Sequence, residues 1–303
     1  MNATSVCLIT FVTSNLLDDS PTAWGRPAVE INRRYAAVHG YRFEVYSNSS
    51  QPVGAPIVWS PVFGVLSYMQ RFPECEFVVS LDGDAVVNNY DILMNSIIQR
   101  HMPTGTDLLF TCHLVEHPQH CGACKCTESF APGTCDYLKE FTRASDCGVN
   151  MGVFVARNSE SLDLMDWWAH NSSRLGYCAY NGGNRIARKW NLQAQSCSNQ
   201  LKQVFPDRVR IVSARVMNTP SYFDHTTGLA KFRQTGSARY NAQCFLSRDF
   251  ICHTLGVRGG SGRHRLKIFE HHLMTYVKSH DKHATHSQPW RSSHWNSRRT
   301  VSS

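Results

Sequence analysis

The sequence predicts an α/β protein with a mainly parallel sheet and helices on both faces. Three observations carry this expectation. Up to about residue 111, short apolar runs alternate with stretches whose apolar residues recur at helical spacing. The most compact of those runs ends in two carboxylates, at the strand edge where open α/β sheets carry ligands. The chain is also long enough, at 303 residues with 42% hydrophobic and 18% charged, to bury a sizeable core. That composition excludes a disordered or fibrous protein.

Each element can be justified in turn. Residues 6–12 are apolar apart from one threonine and read as a first strand. Residues 28–38 place Ala28, Ile31, Tyr35 and Val38 at helical spacing. Residues 41–46 alternate, with Tyr41, Phe43 and Val45 on one face, and are expected to form a second strand. Residues 58–69 return to helical spacing through Val58, Val62, Val65, Leu66 and Met69. Phe77-Val78-Val79-Ser80-Leu81 is a buried strand, residues 92–98 a helix and residues 108–111 a strand. This β-α-β-α-β order implies parallel pairing. A cysteine-rich stretch, residues 113–146, breaks the rhythm with Pro118, Gly122, Pro132 and Gly133, and is expected to be a long loop. Residues 150–156 then read as a strand and 159–170 as a helix opened by Ser159. Residues 176–199 read as a polar stretch wrapping a site edge, and residues 209–212 and 250–253 as late strands. The expected organisation is one domain over residues 1–278, with a nucleotide half at about 5–110, a cysteine-rich insertion at about 112–147 and an acceptor half at about 148–278. Residues 279–303 form a basic, disordered tail.

The formal charge of +8 is concentrated between residues 258 and 299, and a solvated tail explains it better than nucleic-acid binding. No run reaches the roughly 20 apolar residues needed to span a bilayer. The first apolar run lacks the basic flank and cleavage site of a signal peptide. The expectation is therefore a soluble chain, cytoplasmic or viral, or a lumenal one whose anchor lies outside this sequence. Twelve cysteines are many for a cytosolic enzyme. Cys121, Cys124, Cys126 and Cys135 have spacings compatible with structural zinc, with disulfides in an oxidising compartment, or with free buried thiols.

Phe77–Leu81 delivers Asp82-Gly83-Asp84 to the strand's C-terminal edge. Hard divalent cations take oxygen ligands, so two aspartates one residue apart suit one ion or an ion-bound diphosphate. Gly83 between them lets the backbone turn and a phosphate approach closely. A strand ending in such a triplet also opens haloacid-dehalogenase-type phosphatases, where the first aspartate is a nucleophile. That chemistry requires a later acidic pair, and none follows a strand after Asp84. Trp59, Trp190, Tyr222 and Phe223 offer faces for a sugar or base to stack on, whereas Trp167-Trp168 reads as core.

Four ordered stretches then carry a resemblance. They are residues 32–41 (Asn32-Arg33-Arg34-Tyr35 to Gly40-Tyr41), Leu81-Asp82-Gly83-Asp84-Ala85, Asn150-Met151-Gly152-Val153-Phe154 with Arg157-Asn158-Ser159, and His253-Thr254-Leu255-Gly256. In order and separation the chain resembles glycosyltransferase family 34, which contains fungal Golgi α-galactosyl- and α-mannosyltransferases and plant xyloglucan xylosyltransferases. The resemblance implies a GT-A, Rossmann-like fold with a mixed, mainly parallel sheet. It also implies retaining transfer from a UDP- or GDP-sugar to a glycan hydroxyl, with manganese or magnesium held by Asp82, Asp84 and His253. Gly152 and Gly256 would border the donor, and Arg258 would take the place of a phosphate-gripping lysine. Asn150 would face the donor sugar. Asn199-Gln200 falls where the family commonly has Asp-Gln, with Gln200 beneath the anomeric carbon. The amide at Asn199 gives weaker electrostatic help than a carboxylate and keeps open a catalytically silent glycan-binding protein, while the cysteine cluster and basic tail keep open a zinc-stabilised interaction module.

Overall fold

The computed structural model describes residues 6–18, 23–47, 57–112, 149–158, 160–171, 193–212, 214–220, 250–253 and 269. Its larger sheet has six strands, in the order β2 (Arg42–Tyr46), β1 (Val6–Phe11), β3 (Phe77–Asp82), β6 (Val149–Arg157), β5 (Leu108–Cys112) and β7 (Val209–Val212). All neighbours are parallel except those of β6, which runs antiparallel to both β3 and β5. A smaller sheet orders β4 (Ala85–Val87), β9 (Ile251–His253) and β8 (Thr219–Pro220).

The central strands read as unbroken apolar runs because both faces are covered. Alternate residues enter different cores. Cys7, Ile9 and Val78 pack on one side with α2 (Ser60–Arg71), α4 (Leu162–Asp166) and α5 (Gln193–Val204). Val6, Leu8, Phe77, Val79 and Leu81 pack on the other side with α1 (Gly25–His39), α3 (Met94–His101) and the small sheet. Helix α1 ends at Gly40, whose φ of 68° is the left-handed conformation that releases the chain into β2.

The expected elements fall close to their places, with four corrections. The helix expected over 92–98 begins at Met94, because Leu93 before it is extended (φ −78°, ψ 131°), an entry that the Tyr35 hydroxyl braces by donating to the Ile92 carbonyl and accepting the Met94 amide, both at 2.9 Å. The helix expected from Ser159 is regular only over Leu162–Asp166 and passes into a π-helical turn, Trp167–Asn171. At its start Ser161 Oγ donates backward to the Arg157 carbonyl at 2.7 Å instead of capping forward. The end of the polar stretch at 176–199 is the start of α5, whose buried Ala194, Cys197 and Leu201 keep helical spacing beneath a polar composition. Trp59 is wholly buried and packs against Phe63, so it serves the core and not a sugar. Trp168 is buried, as expected. Trp190, Tyr222, Phe223, the whole cysteine-rich stretch at 113–146 and the basic tail lie outside the described residues.

Cys7 and Cys75 form a disulfide across a sequence separation of 68, joining β1 to the turn that enters β3. Cys197 and Cys252 are also disulfide-bonded. Among the described residues, no helix is long and apolar enough to cross a membrane.

One side chain ties the two sheets' surroundings together. Asn32, fully buried on α1, donates from Nδ2 to the Ala85 carbonyl and accepts at Oδ1 from the Val87 amide, both at 2.9 Å. Its amide meets β4 as a neighbouring strand would, and β4 is the strand directly after the Asp-Gly-Asp turn. Asn32→Ala removes both partners from buried backbone groups, each loss costing about 1–3 kcal/mol. We expect a denaturant-unfolding loss of about 2–6 kcal/mol in total. A loss under about 0.5 kcal/mol would show that β4 is held by other contacts.

Candidate metal centre at the sheet edge

Strand β3 sets Asp82 at its last position, and the turn through Gly83 leads to Asp84 and into β4. Gly83 does not adopt a positive φ. Its constraint is a close approach: a Cβ there would sit 2.8 Å from the Phe11 carbonyl oxygen and 3.0 Å from Val12 Cγ2. The absent side chain thus lets the carboxylate turn lie against the end of β1.

His253 comes to the same place from the far end of the chain. It closes β9, which pairs antiparallel with β4 so that Ala85 faces His253. Its Nε2 lies 2.9 Å from Asp84 Oδ1 and 3.7 Å from Asp82 Oδ2. One atom from each of the three residues falls within a group no wider than 4.8 Å. The side-chain exposures are 2% for His253, 16% for Asp84 and 37% for Asp82, so the group opens outward at Asp82.

Two converging carboxylates repel unless something positive lies between them. Burial pushes the Asp82 carboxyl upward, to about 7, with His253 pulling it down and Asp84 pushing it further up. The side chain keeps over a third of its surface in solvent, so water reaches this carboxylate and screens part of that push. Two carboxylates and one imidazole are a donor set that suits a divalent cation. The site fits such an ion on the chemistry of its own residues.

The wall behind His253 is built by β6. Pairing between β5 and β6 jumps in register, from Phe110 opposite Phe154 to Thr111 opposite Asn150. In that irregular stretch Asn150 Oδ1 accepts the Gly152 amide at 2.8 Å. A Cβ on Gly152 would lie 2.1 Å from His253 Cε1 and 2.6 Å from Nδ1. Gly152 is therefore glycine because the imidazole occupies its side-chain space. Asn150 is 3% exposed and holds this wall.

Asn199 and Gln200 lie on α5, and their side chains are outside the described set. Gly256, Arg258, Cys121, Cys124, Cys126 and Cys135 are also outside the described residues. Two side chains at the centre had no sequence signal. His253 Nδ1 is 2.9 Å from Asn218 Oδ1, and Asn218 Nδ2 donates to Thr111 Oγ1 at 2.9 Å. Asn218 falls just before a two-residue strand, and nothing in its neighbourhood marks it.

A mixed, mainly parallel sheet with a carboxylate turn at its edge defines the class, a GT-A glycosyltransferase fold. A solved glycosyltransferase involved in glycosylation of the major capsid of PBCV-1 superposes with a TM-score of 0.54, covering 88% of this chain and 98% of that one at 14% identity. That likeness is one of fold. The chain belongs to the galactosyl transferase GMA12/MNN10 family, whose model matches residues 3–205. Two relatives come from Schizosaccharomyces pombe. An alpha-1,2-galactosyltransferase is 26% identical over 171 residues, 53% of this chain and 44% of that one. A probable alpha-1,2-galactosyltransferase, gmh2, is 25% identical over 144 residues, 46% of this chain and 41% of that one. The chain thus matches less than half the length of these curated relatives.

Proposed function

We propose that this chain transfers a sugar from a nucleotide diphosphate donor to a glycan hydroxyl, with retention at the anomeric carbon. The observation that carries the reading is the convergence of Asp82, Asp84 and His253 at the C-terminal edge of β3. Family membership supports the transferase class, and the names of the fungal relatives favour UDP-galactose among the donors.

Asp82, Asp84 and His253 would hold a divalent cation, manganese in preference to magnesium because an imidazole accompanies the carboxylates. When bound, the ion supplies Lewis-acid compensation for the charge that develops on the leaving diphosphate. The chain's own residues present and support that site. Gly83 keeps the aspartate turn against β1, and Gly152 leaves room for the imidazole. In the reaction, the bond from the anomeric carbon to the diphosphate oxygen breaks. A bond to the acceptor oxygen forms on the same face, and the hydroxyl proton passes to the departing phosphate. By the family resemblance, Gln200 would sit beneath the anomeric carbon, and Gly256 and Arg258 would meet the donor phosphates.

The test is release of nucleotide from UDP-galactose, UDP-glucose, UDP-xylose, GDP-mannose and GDP-fucose, each with and without manganese. Manganese-dependent release from one donor, UDP-galactose first, is the expected result. Donor binding with no release from any of them would instead support a silent carbohydrate-binding protein, the reading that Asn199 motivates.

A further inference from the structure

We propose that Asn218 is a positioning residue that fixes the tautomer of His253, so that Nε2 is the atom offered to a cation. The inference rests on the reading of His253 as a ligand and concerns how the fold prepares it.

The orientation of the Asn218 amide follows from its partners. Thr111 Oγ1 lies 3.4 Å from the Asn150 carbonyl, which can only accept, so the hydroxyl proton points there. The same oxygen then accepts from Asn218 Nδ2 at 2.9 Å. That places the amide oxygen, Oδ1, against His253 Nδ1 at 2.9 Å. A carbonyl oxygen cannot donate, so Nδ1 must carry the proton. With Nδ1 protonated, Nε2 is the nitrogen whose proton a cation can replace, and Nε2 is the atom that faces Asp84 and Asp82.

Burial strengthens the argument. Asn218 and Thr111 are fully buried, and His253 is 2% exposed, so water does not compete readily for these groups. A relay from a β6 carbonyl through β5 thus sets which face of the imidazole is basic. Ligating histidines commonly hand their other N–H to an oxygen acceptor, and loss of that acceptor typically costs about 10–100-fold in metal affinity.

The experiment is titration of the intact chain with manganese alone, followed by electron paramagnetic resonance of the free ion, beside circular dichroism and thermal melting of each variant. Asn218→Leu should keep the fold and weaken manganese binding about 10–100-fold. Asn218→Asp keeps an acceptor opposite Nδ1 and should bind within about threefold of the wild type or more tightly. A merely structural role would not produce that rescue. If Asn218→Leu fails to fold, Thr111→Val tests the same relay with little change of volume, and weakening beyond about threefold is expected. Wild-type affinity in a folded Asn218→Leu or Thr111→Val protein, with binding lost in His253→Ala, overturns the role of Asn218 and leaves His253 a ligand. Unchanged affinity in His253→Ala itself overturns both.

Discussion

Replacing His253 by alanine is expected to lower turnover about 10²–10⁴-fold and to raise the manganese concentration needed for half-maximal rate. The metal's share of transition-state charge stabilisation is several kcal/mol, which converts to a loss of that order. Asp84→Ala should behave alike, since its Oδ1 lies 2.9 Å from His253 Nε2 although the two residues are 169 positions apart. Both act through one ion, so the double mutant should be little worse than the poorer single mutant. Asp82→Asn should also be damaging, but this side chain is the most open of the three, and the amide keeps one oxygen donor. The competing account is a structural ion pair between His253 and Asp84. It predicts lost stability with unchanged manganese dependence per folded molecule, and that result would remove the shared-ion assignment.

The second large effect concerns stability. Removing the Cys7–Cys75 bridge, as Cys7→Ala/Cys75→Ala, should lower unfolding free energy by about 4 kcal/mol. In the chain-entropy account, a crosslink closing 68 residues constrains the unfolded chain by about that much. Both cysteines are buried and flank α1, β2 and α2, which precede the strand that carries the aspartate turn. The double substitution avoids leaving one thiol buried alone. Its denaturation curve should be compared with the oxidised wild type and not with the reduced protein, because Cys197 and Cys252 are also bridged. A loss within about 1 kcal/mol would mean that native packing already restrains this segment. Nothing near Cys7 or Cys75 in the sequence marks this bridge, because the two meet only once β1 and β3 have paired; Cys121, Cys124, Cys126 and Cys135 lie outside the described residues.

What the sequence determined by itself is local. Apolar runs at 6–12, 77–81 and 108–111, with the helical spacings between them, located β1, β3, β5, α1 and α2, because period and hydrophobicity are written in residues a few positions apart. The Asp-Gly-Asp turn at the end of Phe77–Leu81 was legible for the same reason. His253 was assigned only through the family resemblance. The tertiary structure decided the rest. That β6 runs antiparallel between β3 and β5 follows from long-range pairing, and a lone apolar strand does not encode its direction. Asn32 reaches β4 across 53 and 55 positions, and Asn218 reaches Thr111 across 107. Each is a single amide whose function exists only once distant strands have met. Gly152 looked like one more donor-facing glycine. Only the placement of the His253 ring, 2.1 Å from where its Cβ would be, shows that steric exclusion makes it glycine.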